Sequence, residues 1–167
     1  MNRIVFDLQL FENIFNVDSN TLVSGTADSE QLTNLGNNVT INAGAGNDTI
    51  ISIGISNVTI DAGAGDDIIE NLNVNVTITS GAGNDTISLT ESESGTTITD
   101  FDLSDKLALN YKPDFAKFAD NVLNIDGVKI NLPNVKNIND YRNMIVSYYT
   151  DSEKNIHEIT LGKLLEQ

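Results

Sequence analysis

Three stretches of this chain are almost identical, and their spacing leaves few folds open to it. Residues 39–50 (VTINAGAGNDTI), 58–69 (VTIDAGAGDDII) and 76–87 (VTITSGAGNDTI) align without gaps. Two degenerate copies flank them. Upstream, residues 25–32 place Glu30 at the Asp position, and downstream, residues 98–107 place Asp105 there. The resulting acidic column is Glu30, Asp48, Asp67, Asp85 and Asp105, at intervals of 18, 19, 18 and 20 residues. A period this short and this regular describes one supersecondary unit that buries its apolar face only by stacking on the next. The end units of such an array are expected to be atypical.

Each period reads as strand, plain turn, strand, glycine-rich turn. Residues 49–53 and 58–60 are rich in β-branched types, and short polar stretches such as 54–57 and 73–75 separate them. Stacked at the strand spacing of about 4.8 Å, the periods form a parallel β coil with two narrow sheets. The alternation predicts Leu32, Ile50, Ile69, Ile87 and Leu107 inward on one sheet, and Ile41, Ile60, Ile78 and Ile98 inward on the other. Thr40, Thr59, Thr77 and Thr97 then face out, and Asn38, Asn57 and Asn75 form a ladder at the plain turn. So thin a core has little room for rings, in keeping with an aromatic content of 6%.

Charge separates the chain into two regions. The protein has 167 residues and a formal charge of −15, with sixteen acids against one base in residues 1–105 and eight of each sign in 106–167. A folded body with that much one-sided charge repels itself unless cations sit within it. The acidity speaks against nucleic acid as a partner, because phosphate contacts need Lys and Arg. Cysteine is absent and His157 is the single histidine, which excludes thiol chemistry and His- or Cys-ligated metal clusters. No apolar run reaches the roughly 18 residues of a membrane-spanning helix.

The glycine-rich turn carries the chemistry. Gly44 and Gly46, with Gly63, Gly65, Gly81 and Gly83 at the matching positions, allow backbone angles that a Cβ forbids. Such a turn can aim carbonyl oxygens inward while its Asp adds a carboxylate. An all-oxygen donor set suits a hard cation, Ca²⁺ above all. Two carboxylates about 5 Å apart on successive coils repel by ~1–3 kcal/mol at effective dielectrics of 20 to 80. A divalent ion between them reverses that sign. An EF-hand reading of Asp100 and Asp102 fails, because Asp105 stands where the loop needs Gly and Tyr111 where it needs Glu.

The motif resembles the Gly-Gly-x-Gly-x-Asp-x-U-x nonapeptide (U, a large aliphatic) of the repeats-in-toxin (RTX) calcium-binding β-roll proteins. Ala43, Ala62 or Ser80 occupies the first position, and residues 98–109 (ITDFDLSDKLAL) look like the family's closing stretch. The resemblance covers roughly residues 23–109. It implies an all-β fold, a right-handed parallel β-roll of about five short turns with a C-terminal β-rich cap. Typical members carry two nonapeptides per 18-residue turn. Here one loop per turn is glycine-rich, so calcium is expected along one edge, with an Asn-lined, ion-free edge opposite.

Carried over position by position, the resemblance implies one site from Gly44, Gly46, Asp48, Ala62, Ala64 and Asp67. A second uses Gly63, Gly65, Asp67, Ser80, Ala82 and Asp85. A third would draw on Gly81, Gly83, Asp85, Asp100, Asp102 and Asp105. A fourth would use Glu30 with Ala43, Ala45 and Asp48, although Asp28 stands there in place of a glycine.

The chain divides into an N-terminal capping segment (1–22), the calcium-binding roll (23–109) and a β-rich cap (110–167). Residues 1–12 mix charges into their apolar positions, unlike a cleaved secretory leader. In the cap, Asp126 and Gly127 join two short strands as a hairpin, residues 144–149 and 156–161 form another pair around a turn at 151–155, and 162–167 is a fraying tail or part of an uncleaved export signal. The expected function is a calcium-folded structural or binding module, not an enzyme. Through the family resemblance it is expected to be extracellular or at the cell surface, exported by a type I route, with a protein or glycan partner left open. The alternatives are an ice-binding or adhesin-type repeat, on the rank Asn47, Asp66 and Asn84, and a polysaccharide-acting β-helix enzyme.

Overall fold

The computed structural model describes residues 2–5, 13–54, 56–90, 95–149 and 155–166. Twelve short strands wind through it as stacked coils: β1 (Asn2–Val5), β2 (Asn13–Asn16), β3 (Thr21–Ser24), β4 (Gln31–Asn34), β5 (Thr40–Ala45), β6 (Thr49–Ser52), β7 (Thr59–Ala64), β8 (Ile68–Asn71), β9 (Thr77–Thr79), β10 (Thr86–Leu89), β11 (Thr96–Ile98) and β12 (Lys106–Leu109). Odd-numbered strands pair in parallel in one sheet and even-numbered strands in the other. The register follows the repeat. Ile41 lies beside Ile60, Ile60 beside Ile78 and Ile78 beside Ile98, while Leu32, Ile50, Ile69, Ile87 and Leu107 align across the second sheet. This is the parallel β-solenoid of about five turns that the period demands.

All of those aligned aliphatics are fully buried, each contributing roughly 1.5–3 kcal/mol of apolar burial. Thr40, Thr59, Thr77 and Thr97 stay at least partly open, as the alternation requires. Among the described residues, one ring does enter the core. Phe101, in the turn before β12, is 1% exposed. It fits there because it lies beyond the glycine-rich loops, where the two sheets no longer confine it, and it stacks on Tyr141 with ring centroids 6.1 Å apart.

At the plain turns, Asn20, Asn38, Asn57 and Asn75 all adopt left-handed backbone, with φ between 54° and 58°. Asn tolerates that region better than other non-glycine residues. The Asn38 amide donates to Asn20 Oδ1 (3.3 Å) and the Asn57 amide to Asn38 Oδ1 (3.1 Å), forming the exposed ladder. A second, buried ladder lies beside it. Asn16 donates to Asn34 (2.7 Å), Asn34 to the Ser52 hydroxyl (3.3 Å) and Asn73 to the same hydroxyl (2.6 Å). Asn34 and Asn71 also bridge their own turns, accepting from the Gly36 and Asn73 amides. This ladder was missed at the sequence level, although Asn16, Asn34, Ser52 and Asn71 recur with the same period as the acids.

Both ends continue the stack. Strands β1 and β2, from the segment read as an N-terminal cap, pair in parallel with β3 and β4 as the outermost rung. Residues 1 and 6–12 of that segment lie outside the described residues. At the other end, β13 (Ala116–Ala119), β14 (Val122–Ile125) and β15 (Val128–Asn131) form an antiparallel meander, turning at Asp126 and Gly127, and β15 adds in parallel to β11. Strand β16 (Ile145–Tyr149) adds in parallel to β12, and β17 (Ile156–Thr160) pairs antiparallel with β16. Four residues of the turn expected at 151–155 lie outside the described residues. His157 is exposed on β17 and stacks on Tyr148. The final segment does not fray. Residues Leu161–Leu165 form one helical turn, α1, that buries Leu161 and Leu164, and the Gly162 amide donates to the Arg142 carbonyl (2.8 Å). Its apolar residues are the reason, since the end of the core would otherwise meet water.

Candidate metal centre

The glycine-rich turns stack as closely as backbone allows. A Cβ on Gly63 would lie 1.9 Å from the Gly44 carbonyl oxygen, and one on Gly81 1.8 Å from the Gly63 carbonyl oxygen. Gly65 and Gly83 are equally confined, each 2.0 Å from the oxygen of the glycine one coil earlier. All six glycines have positive φ, between 99° and 146°. Hydrogen bonds tie the turns together, from the Gly46 amide to the Ala64 carbonyl and from the Gly65 amide to the Ala82 carbonyl, both at 2.8 Å. A carbonyl accepting one such bond keeps a second lone pair.

Behind these turns runs the acid column, and the coil buries it. Asp48, Asp67 and Asp85 are 1% exposed or less, with Glu30 and Asp105 nearly as covered. The carboxylates are in vertical register, and each aspartate is bonded through one oxygen to the rung before it. The Glu30 amide donates to Asp48 Oδ1 (2.8 Å), the Asp48 amide to Asp67 Oδ1 (2.7 Å), the Asp67 amide to Asp85 Oδ1 (2.8 Å) and the Asp85 amide to Asp105 Oδ1 (3.3 Å). The second oxygens, Oδ2 of Asp48, Asp67 and Asp85, are buried and have no hydrogen-bond partner. An unsatisfied buried carboxylate oxygen is among the most costly groups a protein can hold.

The electrostatics record that cost. Burial pushes Asp48 up to about 7 and Asp105 up to about 6, and it raises Asp67 and Asp85 as well, in each case against backbone amides that favour the charged form. Asp48 starts from an ordinary value of 3.8. Between pH ~4 and ~7 the metal-free fold therefore holds more protons than the unfolded chain, and its stability falls as pH rises through that window. Thermal melts of metal-depleted protein are expected to give a higher Tm at pH 5 than at pH 7.5, and a flat profile would contradict the burial argument.

A neighbouring rank faces the other way. The Asp66 amide donates to Asn47 Oδ1 (2.9 Å), the Asn84 amide to Asp66 Oδ1 (2.8 Å) and the Asn47 amide to the Ser29 hydroxyl (2.9 Å). These polar groups are exposed, yet Asn47 Oδ1, Asp66 Oδ1 and the Ser29 hydroxyl each accept from a backbone amide of the next coil. Backbone and side-chain bonds from Asn84 hold Asp66 below the usual carboxylate range.

The acids of the closing turn behave differently from those of the column. Asp100 accepts from the Ser80 amide (3.0 Å), the Ser80 hydroxyl (3.2 Å) and the Gly81 amide (2.8 Å), so both its oxygens are engaged. Asp102 accepts from the Ser104 amide (2.7 Å) and hydroxyl. Among the described residues no cluster of three or more His, Asp or Glu side chains assembles. The donors that this edge offers are backbone carbonyls and column carboxylates, all of them oxygen.

The fold and its edge define a class: a β-solenoid whose glycine-rich turns carry a register of buried, half-satisfied carboxylates. Residues 24–52, 54–71 and 75–90 match the family model for the RTX calcium-binding nonapeptide repeat, in four copies. These matched stretches carry RTX-type calcium-binding repeats, and calcium is the ligand that such repeats bind. The chain has no significant match among curated proteins or solved structures.

Proposed function

We propose that calcium is clamped between successive glycine-rich turns along one edge of this solenoid, and that the clamping holds the coil together. The observation that carries this reading is the set of three buried, partnerless oxygens on Asp48, Asp67 and Asp85. One pocket lies between the Asp48 and Asp67 turns, with Gly44, Gly46, Ala62 and Ala64 lending carbonyls. The next lies between the Asp67 and Asp85 turns, with Gly63, Gly65, Ser80 and Ala82. Bound calcium supplies the positive charge that the column lacks. The chain's part is to fix carbonyl directions through glycine and to exclude water by burial.

Such a module is a structural or binding element and not a catalyst, since its buried acids are tied to backbone amides. RTX repeat proteins are typically exported, and no helix among the described residues is long and apolar enough to cross a membrane. An extracellular setting, where calcium is abundant, suits a fold completed by the ion. Asp67 belongs to both pockets, which makes it the test. Asp67→Asn keeps an oxygen for the Asp48 amide but removes the charge, and calorimetric titration should show calcium affinity weakened at least about tenfold at both sites. The exposed Asp61→Asn should leave binding unchanged. Wild-type affinity in Asp67→Asn would refute the proposal.

A further inference from the structure

The column is not uniform along its length. Its three central members each keep a partnerless oxygen, whereas its two end members do not. At the N-terminal end, Glu30 Oε2 accepts the Thr26 amide (3.2 Å) and Oε1 the Thr26 hydroxyl. Thr26 occupies the position that Gly44 fills one coil later, so a hydroxyl-bearing residue stands where the central turns have none. At the C-terminal end, Asp105 Oδ2 accepts the Asp102 amide (2.9 Å), while its Oδ1 accepts the Asp85 amide. The last interval is 20 residues against 18 or 19 elsewhere, and the longer loop brings that extra donor into reach. The Ser104 hydroxyl also sits 2.9 Å from the Gly83 carbonyl, against the oxygen that a terminal site would need.

We infer that the chain's own donors close the acid column at both ends. The protein then takes up two calcium ions, between Asp48 and Asp67 and between Asp67 and Asp85, and none against Glu30 or Asp105. This rests on the calcium reading above and sharpens it. The physical reason is competition. An ion entering a central pocket meets oxygens with nothing to lose, whereas at either end it must first displace hydrogen bonds to carboxylate, each stronger than a neutral one. The closures also let the stack terminate without an ion exposed at its edge.

The experiment is a titration of calcium alone into the metal-free full-length chain, with bound ions counted by native mass spectrometry and heats by calorimetry. The expected plateau is two ions. Thr26→Val removes the hydroxyl donor from Glu30 and should raise the plateau to three, while Thr26→Ser should restore two. Asp105→Asn, which keeps an acceptor for the Asp85 amide, should leave the plateau at two. A wild-type plateau of three or four, a Thr26→Val plateau still at two in a chain with wild-type circular dichroism, or loss of an ion in Asp105→Asn overturns the closure and leaves calcium binding standing. A plateau of zero overturns the calcium reading itself.

Discussion

Stripping calcium with a chelator at neutral pH is expected to destabilise the parallel coil, with its thermal transition lowered and restored on adding calcium back. At a free concentration one hundred times its dissociation constant, each ion adds about 2.7 kcal/mol to the folded state. Two ions then add about 5 kcal/mol, the lower end of what a whole domain has in reserve. For a chain of this length that corresponds to a fall in Tm of roughly 10–20 °C. The structural cause is specific. Without metal, Asp48, Asp67 and Asp85 keep buried oxygens with no donor, and like charges lie one coil apart. Magnesium should not substitute, because it demands a tight octahedron and surrenders its water reluctantly, whereas these carbonyls are set by the stacking of the turns. A melting curve unaffected by chelation would remove the basis for the proposed function.

Gly63→Ala is expected to be among the most damaging single substitutions in the central turns. Its Cβ would meet the Gly44 carbonyl oxygen at 1.9 Å, and its φ of 105° is a conformation that L residues rarely adopt. The obstacle is backbone on the neighbouring coil and cannot rotate away, so two coils must part. Strain of about 1–3 kcal/mol and overpacking of about 1–3 kcal/mol add to a loss of roughly 2–6 kcal/mol. Parting the coils also spreads the carbonyls on either side, so calcium affinity should fall along with stability. Gly127→Ala is the matched control. Its φ is 101°, but nothing lies within 4 Å of the added Cβ, so only the backbone strain remains. Denaturant unfolding of the two variants checks this, and equal losses would show that close stacking of the turns is not what the glycines serve.

The way the ends differ from the middle explains why chemistry concentrates where it does. Central coils are near-copies, so whatever one turn lacks the next one lacks as well, and the deficit repeats as a column. The ends break the repeat, through Thr26 in one case and a longer loop in the other, and their acids find partners within the chain.

What the chain alone made legible was whatever repeats. In a parallel stack the sequence interval and the spatial register are the same quantity, so intervals of 18, 19, 18 and 20 residues were enough to align Glu30, Asp48, Asp67, Asp85 and Asp105, to turn nine aliphatics inward and to place the glycines. Local turn chemistry likewise exposed the hairpin at Asp126 and Gly127. The tertiary structure alone decided what depends on a neighbour being present. It set which carboxylate oxygen an amide takes and which is left over. It buried Asn16, Asn34, Ser52 and Asn71 in a second polar ladder, it added β1 and β2 to the stack, and it docked Leu161 and Leu164 against the last coil. Those outcomes depend on which groups meet once the segments are stacked: even where residues recur, as in the buried Asn ladder, only the neighbour in place decides which donor takes which oxygen.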